Sequence, residues 1–84
     1  MEKTVLLLLI KDRKGTAVTV QKILTDWGCT IKTRLGLHDG TLDSCTNSGL
    51  VILEIVGDKA KNEEMTRKLN LVKDVKAQLV NLSV

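Results

Sequence analysis

The run TVLLLLI, Thr4 to Ile10, decides how the chain folds. Its Val and Ile ends are β-type and its length suits a strand better than a helix. No polar residue interrupts it, so it reads as a central strand covered on both faces. A second run of the same kind, Leu50 to Val56, is broken only by Glu54. Two other segments alternate instead. From Thr30 onward, Ile31, Thr33, Leu35 and Leu37 take one side of a strand and Lys32, Arg34, Gly36 and His38 the other. From about Val75 to Leu82, Val75, Ala77 and Leu79 oppose Lys76, Gln78 and Val80. A period of two places such strands at half-exposed, edge positions.

Helical spacing fills the two remaining stretches. After the turn KDRKG, apolar residues recur at Ala17, Val20, Ile23, Leu24 and Trp27, with Thr16 standing as N-cap and Gly28 where a C-terminal cap belongs. In GDKAKNEEMTRKL, Asp58 stands as N-cap, Glu63 and Glu64 come early, and Arg67 and Lys68 come late, which matches the helix dipole. Its apolar stripe is Ala60, Met65 and Leu69. The order β-α-β-β-α-β is that of the α+β ferredoxin-like fold. That fold is a four-stranded antiparallel sheet with the first and third strands central and both helices on one face. Residues 1–84 make one such domain.

One layer of helices leaves the other sheet face uncovered, yet the central runs do not alternate. Leu50, Ile52 and Val56, with one parity of the first run, form an aliphatic stripe there, flanked by Lys32 and Arg34 on one edge and Lys76 and Gln78 on the other. An apolar centre with a charged rim is the anatomy of a protein interface. A chain this short buries only about 60% of its unfolded surface, so association would help it. The expectation is a homodimer or homotetramer. The plainer alternative is that lysine stems cover the stripe.

Composition removes several functions. With no Phe, no Tyr and one Trp, the central strands offer no rings on which nucleotide bases could stack. The net charge of +3 is spread along the chain, which also argues against direct nucleic-acid binding. No Cys-x-x-Cys follows the first strand to hold a soft metal. The apolar run Val5 to Ile10 is shorter than the export core of about 7–15 residues, and nothing reaches membrane-spanning length. A cytoplasmic, reducing location follows, with Cys29 and Cys45 as free thiols. Cys29 reads as a partly buried small hydrophobe, and Cys45 has no third residue to orient His38 for nucleophilic catalysis. Arg13, Lys14 and Gly15 put positive charge at a helix start, a weak anion site or simply a solvated turn. The expectation is a protein that is not an enzyme.

The polar stretch LHDGTLDSCTNSG, Leu37 to Gly49, contains the only histidine, His38, and Cys45, with Asp39 and Asp43 beside them. It is either a hairpin connection made of ordinary turn residues or part of a metal site. Two ligands are too few for a closed site, so Asp39, Asp43 or a second subunit would have to supply others.

IKDRKGTAVTVQKILTDWGCTI, Ile10 to Ile31, resembles the opening of an ACT domain. In that family a strand ends in Asp-x-x-Gly, a helix follows, and a Gly leads into the second strand; Asp12, Gly15 and Gly28 to Ile31 match. RLGLHDG, SGLVILEIVGD and LVKDVKAQLVNL extend the similarity over nearly the whole chain. It is similar there to small stand-alone ACT-like proteins, regulators of the iron-only hydrogenase system, related in fold to the ligand-binding domain of the nickel-responsive repressor. The resemblance implies a regulatory, oligomeric, non-catalytic module without naming its cofactor or ligand. It implies a small-molecule effector, often an amino acid, at Asp12, Gly15 and Thr16, where helix-start N–H groups meet a carboxylate. Alternatively Gly15 is only what the turn requires. The repressor resemblance implies a metal-sensing role for His38 and Cys45, although Gly36 and Leu37 stand where a neighbouring histidine would be. A third reading is a structural module that holds a protein partner and no ligand.

Overall fold

The two unbroken apolar runs occupy the middle of a single sheet. In the computed structural model, residues 1–11, 16–38 and 49–84 are described, 37 and 38 by their backbone alone. The elements are β1 (Glu2–Ile10), α1 (Thr16–Asp26), a short 3-10 turn (Gly28–Thr30), β2 (Ile31–His38), β3 (Gly49–Ile55), α2 (Lys59–Asn70) and β4 (Val75–Ser83). The four strands lie in the order β2-β3-β1-β4, and every neighbouring pair is antiparallel. This is the ferredoxin-like fold.

Register explains the core. Leu6 faces Leu53 of β3 and Leu79 of β4, and Leu8 faces Val51 and Ala77, so one parity of three strands forms a continuous apolar surface. Val20 and Leu24 of α1 and Met65 and Leu69 of α2 close over it. Leu6, Leu8, Leu53, Met65 and Leu69 are fully buried, and each such side chain is worth roughly 1.5–3 kcal/mol relative to exposure.

The helices depart from expectation in instructive ways. Thr16 is the first helical residue of α1 and is buried, so the capping position before it falls outside the described residues. Val20 and Leu24 are buried and Ile23 and Trp27 partly so, while Ala17 is exposed. Gly28 is not a left-handed cap: the helix passes through Trp27 into the 3-10 turn. Trp27 packs against the core, donates its indole N–H to the Lys61 carbonyl at 3.1 Å, and holds the Lys68 ammonium 5.0 Å above its ring. It therefore joins α1 to α2. In α2, Asp58 is the N-cap as expected, accepting from the Ala60 N–H at 2.9 Å. The buried stripe is Asn62, Met65 and Leu69, with Ala60 exposed. On the solvent side the Arg67 guanidinium beside Glu64 holds its carboxyl below the usual range. That pair's contribution is present above the ordinary carboxylate pKa and fades as pH falls through the lowered one.

β2 carries the main correction. A β-bulge lies between Ile31 and Thr33: Ile31 pairs with Ile55 on the helix side, but Thr33 pairs with Glu54 on the open side. One extra residue reverses every side chain beyond it. Arg34 therefore points to the helices, where it donates to Gln21 Oε1 at 2.7 Å, and Leu35 is half exposed on the open face opposite Ile52. The expected placement of Arg34 on the open-face rim is thus overturned.

Two tight connections fix α2 between its strands. Gly57, after β3, takes φ +90°, a conformation that L side chains rarely adopt. At the other end, the Asn70 side chain accepts from Ala77 N–H at 2.8 Å and donates to Ala77 C=O at 3.0 Å, tying the helix to β4. An added Cβ at Gly57 would meet Thr30 Cγ2 at an ordinary 3.6 Å, so backbone strain alone should make Gly57→Ala cost roughly 1–2 kcal/mol in urea unfolding. Asn70→Ala removes both bonds to Ala77 and is expected to lower stability by about 1–2 kcal/mol on the same measurement.

Candidate functional site

The face of the sheet away from the helices is apolar at its centre. Register aligns Leu7 with Ile52, Ile52 with Leu35, Leu9 with Leu50 and Val5 with Val80. Leu9, Leu35 and Leu82 are each more than half exposed, and Leu50 and Ile52 are partly so. Val56, just beyond β3, is exposed as well. Glu54 interrupts the stripe and lies between Lys3, at 3.2 Å, and Lys32, at 4.0 Å, while Lys76 and Gln78 are exposed along the β4 side. The lysines are half exposed, so solvent screens both contacts and they are worth little to stability. They do give the apolar patch a charged border.

The sequence-predicted ligand sites are only partly in view. Asp12, Gly15 and Cys45 lie outside the described residues, as do Asp39 and Asp43. Of the effector trio, Thr16 is present, buried in the first turn of α1. His38 ends β2 with its backbone opposite Gly49, and its side chain is outside the described residues. Among the described residues, no three His, Cys, Asp or Glu side chains gather to hold a metal. Cys29 is an exposed free thiol, not the partly buried hydrophobe expected. No described helix is long and apolar enough to cross a membrane.

A cavity of about 430 Å³ opens where β1 and α2 begin and β3 and β4 end. On its helix-side sheet wall lie Ile55 and Leu79, with Thr4 and Asn81, whose side chains hydrogen-bond to each other. Asn62 of α2 also lines it and is only 4% exposed. Its amide nitrogen donates to the Val56 carbonyl at 3.2 Å, but its oxygen is buried without a hydrogen-bond partner. Sequence reading passed over Asn62. The available signal was its spacing: positions 62, 65 and 69 share one helix face, and a polar residue in that stripe is out of place unless something pairs with it.

With this geometry established, known structures bear on the fold. The chain is similar to the uncharacterized protein TM1266 from Thermotoga maritima, with a TM-score of 0.82 over 99% of this chain and 100% of that one at 19% identity. A dimeric ferredoxin-like protein from an uncultured marine organism gives a TM-score of 0.45 at 12% identity over 99% of this chain and 94% of its own. LarC2, the C-terminal domain of a cyclometallase involved in synthesis of the NPN cofactor of lactate racemase, gives 0.46 at 10% identity over all of this chain and 59% of its own. The Thermotoga structure matches the fold from end to end, and identity this low carries nothing further. No protein-family model and no curated protein matches the chain.

Proposed function

We propose that this chain is a non-catalytic, ACT-like regulatory or sensor subunit of the cytoplasm. In this reading it associates with further copies of itself through the open sheet face and responds to a small effector at Asp12, Gly15 and Thr16, between β1 and α1 in the chain. The apolar face with its charged border carries the reading. Leu7, Leu9, Leu35 and Ile52 stand together on it, and burying side chains of this size contributes about 1.5–3 kcal/mol each. Association costs an estimated 4–15 kcal/mol in lost freedom, so a homodimer forms only if both copies bury the patch at once. A two-fold pairing of identical faces meets that condition, and a homotetramer would need a second contact.

The regulatory part of the proposal rests on the resemblance of Asp12, Gly15 and the surrounding sequence to ACT domains, including the regulators of the iron-only hydrogenase system. An effector bound between copies would couple ligand to assembly and, through assembly, to a protein partner.

Size-exclusion chromatography with light scattering is expected to give at least a dimer at micromolar concentration. Ile52→Lys is expected to yield a folded monomer, since the lysine can reach solvent in one copy but meets its counterpart in the pair. A monomeric wild type would sink the assembly. For the effector, a thermal-shift screen with amino acids should find one that stabilises by about 2.7 kcal/mol at a hundred times its Kd, an effect lost in Asp12→Ala. A flat screen removes the effector and leaves the assembly standing.

A further inference from the structure

We propose that ionic strength gates self-association through the open sheet face: the face repels its own copy in dilute salt, and anions that screen its lysines let two copies close. This rests on the pairing of open faces proposed above and adds what regulates it.

The charge on the face gives the first reason. Among the described strand residues of that side, Lys3, Lys32 and Lys76 are cationic and Glu54 is the one acid. Three lysines against one carboxylate leave each copy presenting a net +2. Arg34 does not add to this, being turned to Gln21 on the helix side, and Glu2 does not subtract from it, since it shares the parity of Leu6. The β2 bulge is part of the pattern. Alternation back from Thr33 would send Lys32 to the helix side, yet its ammonium is 4.0 Å from the Glu54 carboxylate. The extra residue therefore brings one more cation to the open side.

Depth gives the second reason. The Glu54 side chain is 27% exposed, against 50% for Lys3 and 57% for Lys32, and Lys76 is exposed on β4. An approaching copy thus meets ammonium groups before it meets the carboxylate. In a two-fold pair both surfaces are the same surface, so every orientation sets a +2 face against a +2 face. The whole chain, at +3, has the same sign and offsets nothing. Repulsion between two such charges about 15 Å apart in water changes a dissociation constant roughly fivefold. The apolar gain from Leu7, Leu9, Leu35 and Ile52 acts at contact and changes little in dilute sodium chloride. The repulsion instead reaches as far as the screening length, roughly 30 Å at 0.01 M salt and 10 Å at 0.1 M. Salt therefore shifts one side of the balance and leaves the other.

Sedimentation equilibrium of the full chain at pH 7 would measure the dimer dissociation constant in sodium chloride from about 0.01 to 0.3 M. Wild type is expected to pair about fivefold more tightly at the upper end. Lys76→Gln, at an exposed position, should pair more tightly than wild type in dilute salt and lose most of the salt response. Glu54→Gln should pair several-fold more weakly in dilute salt and respond more steeply, because the remaining lysines lose their counter-charge. An interface governed by apolar burial alone would instead be tightened by removing that carboxylate. Circular dichroism checks the fold of each variant, and Lys76→Gln alone decides the matter where Glu54→Gln fails to fold. Affinity that is flat or weakens with salt, or tighter pairing of a folded Glu54→Gln, would overturn the gate and leave the assembly in place. Tightening of equal size in wild type and Lys76→Gln marks salting-out of the apolar patch and has the same effect. Monomers at every salt concentration, in Lys76→Gln as in wild type, overturn the assembly and the gate with it.

Discussion

β1 is hydrogen-bonded on both sides, to β3 and to β4, and everything else in the molecule follows from having an unbroken aliphatic strand in that position. A central strand cannot choose which of its faces to bury. Leu6, Leu8 and Ile10 receive the helices, whereas Val5, Leu7 and Leu9 face away from them on the same strand. The apolar residues that make β1 a good centre thus also create an uncovered surface. β3 repeats the arrangement with Val51, Leu53 and Ile55 inward and Leu50 and Ile52 outward, interrupted by Glu54.

The division between what sequence reveals and what it conceals follows the same physics. The element order, the central position of β1 and β3 and the Asp58 cap were legible, because continuous apolar runs and a capping carboxylate have few alternative uses. The facing of β2 was not. Alternation over Ile31 to Leu37 is regular in sequence, and the extra residue between Ile31 and Thr33 appears only once the strand is paired with β3. Arg34 and Leu35 exchanged sides as a result. The structural roles of Asn62 and Asn70 were hidden for another reason. A side-chain amide has no fixed partner until the end of β3 and the strand β4, which supply Val56 and Ala77, are in place beside α2.

The candidate functional regions differ in how they are built. The open face depends on strand register, and its chemistry is repetitive: aliphatic side chains with lysines at the border. The cavity beside Asn62 depends on the junction of strand ends and a helix start, where Gly57 turns the chain and a few polar groups converge. Repetitive apolar surfaces suit another surface of similar character, and convergent polar groups suit a small molecule.

The Asn70 link to Ala77 has a consequence beyond holding α2 in place. β4 is the last strand of the sheet, and its outward N–H and C=O groups are what an additional strand would use to extend it. At Ala77, near the start of β4, both groups are already taken by one side chain. The opposite border is distorted by the β2 bulge. An incoming strand therefore finds the first part of one margin occupied and the start of the other out of register, which hinders growth of the sheet in its own plane while its broad surface stays available.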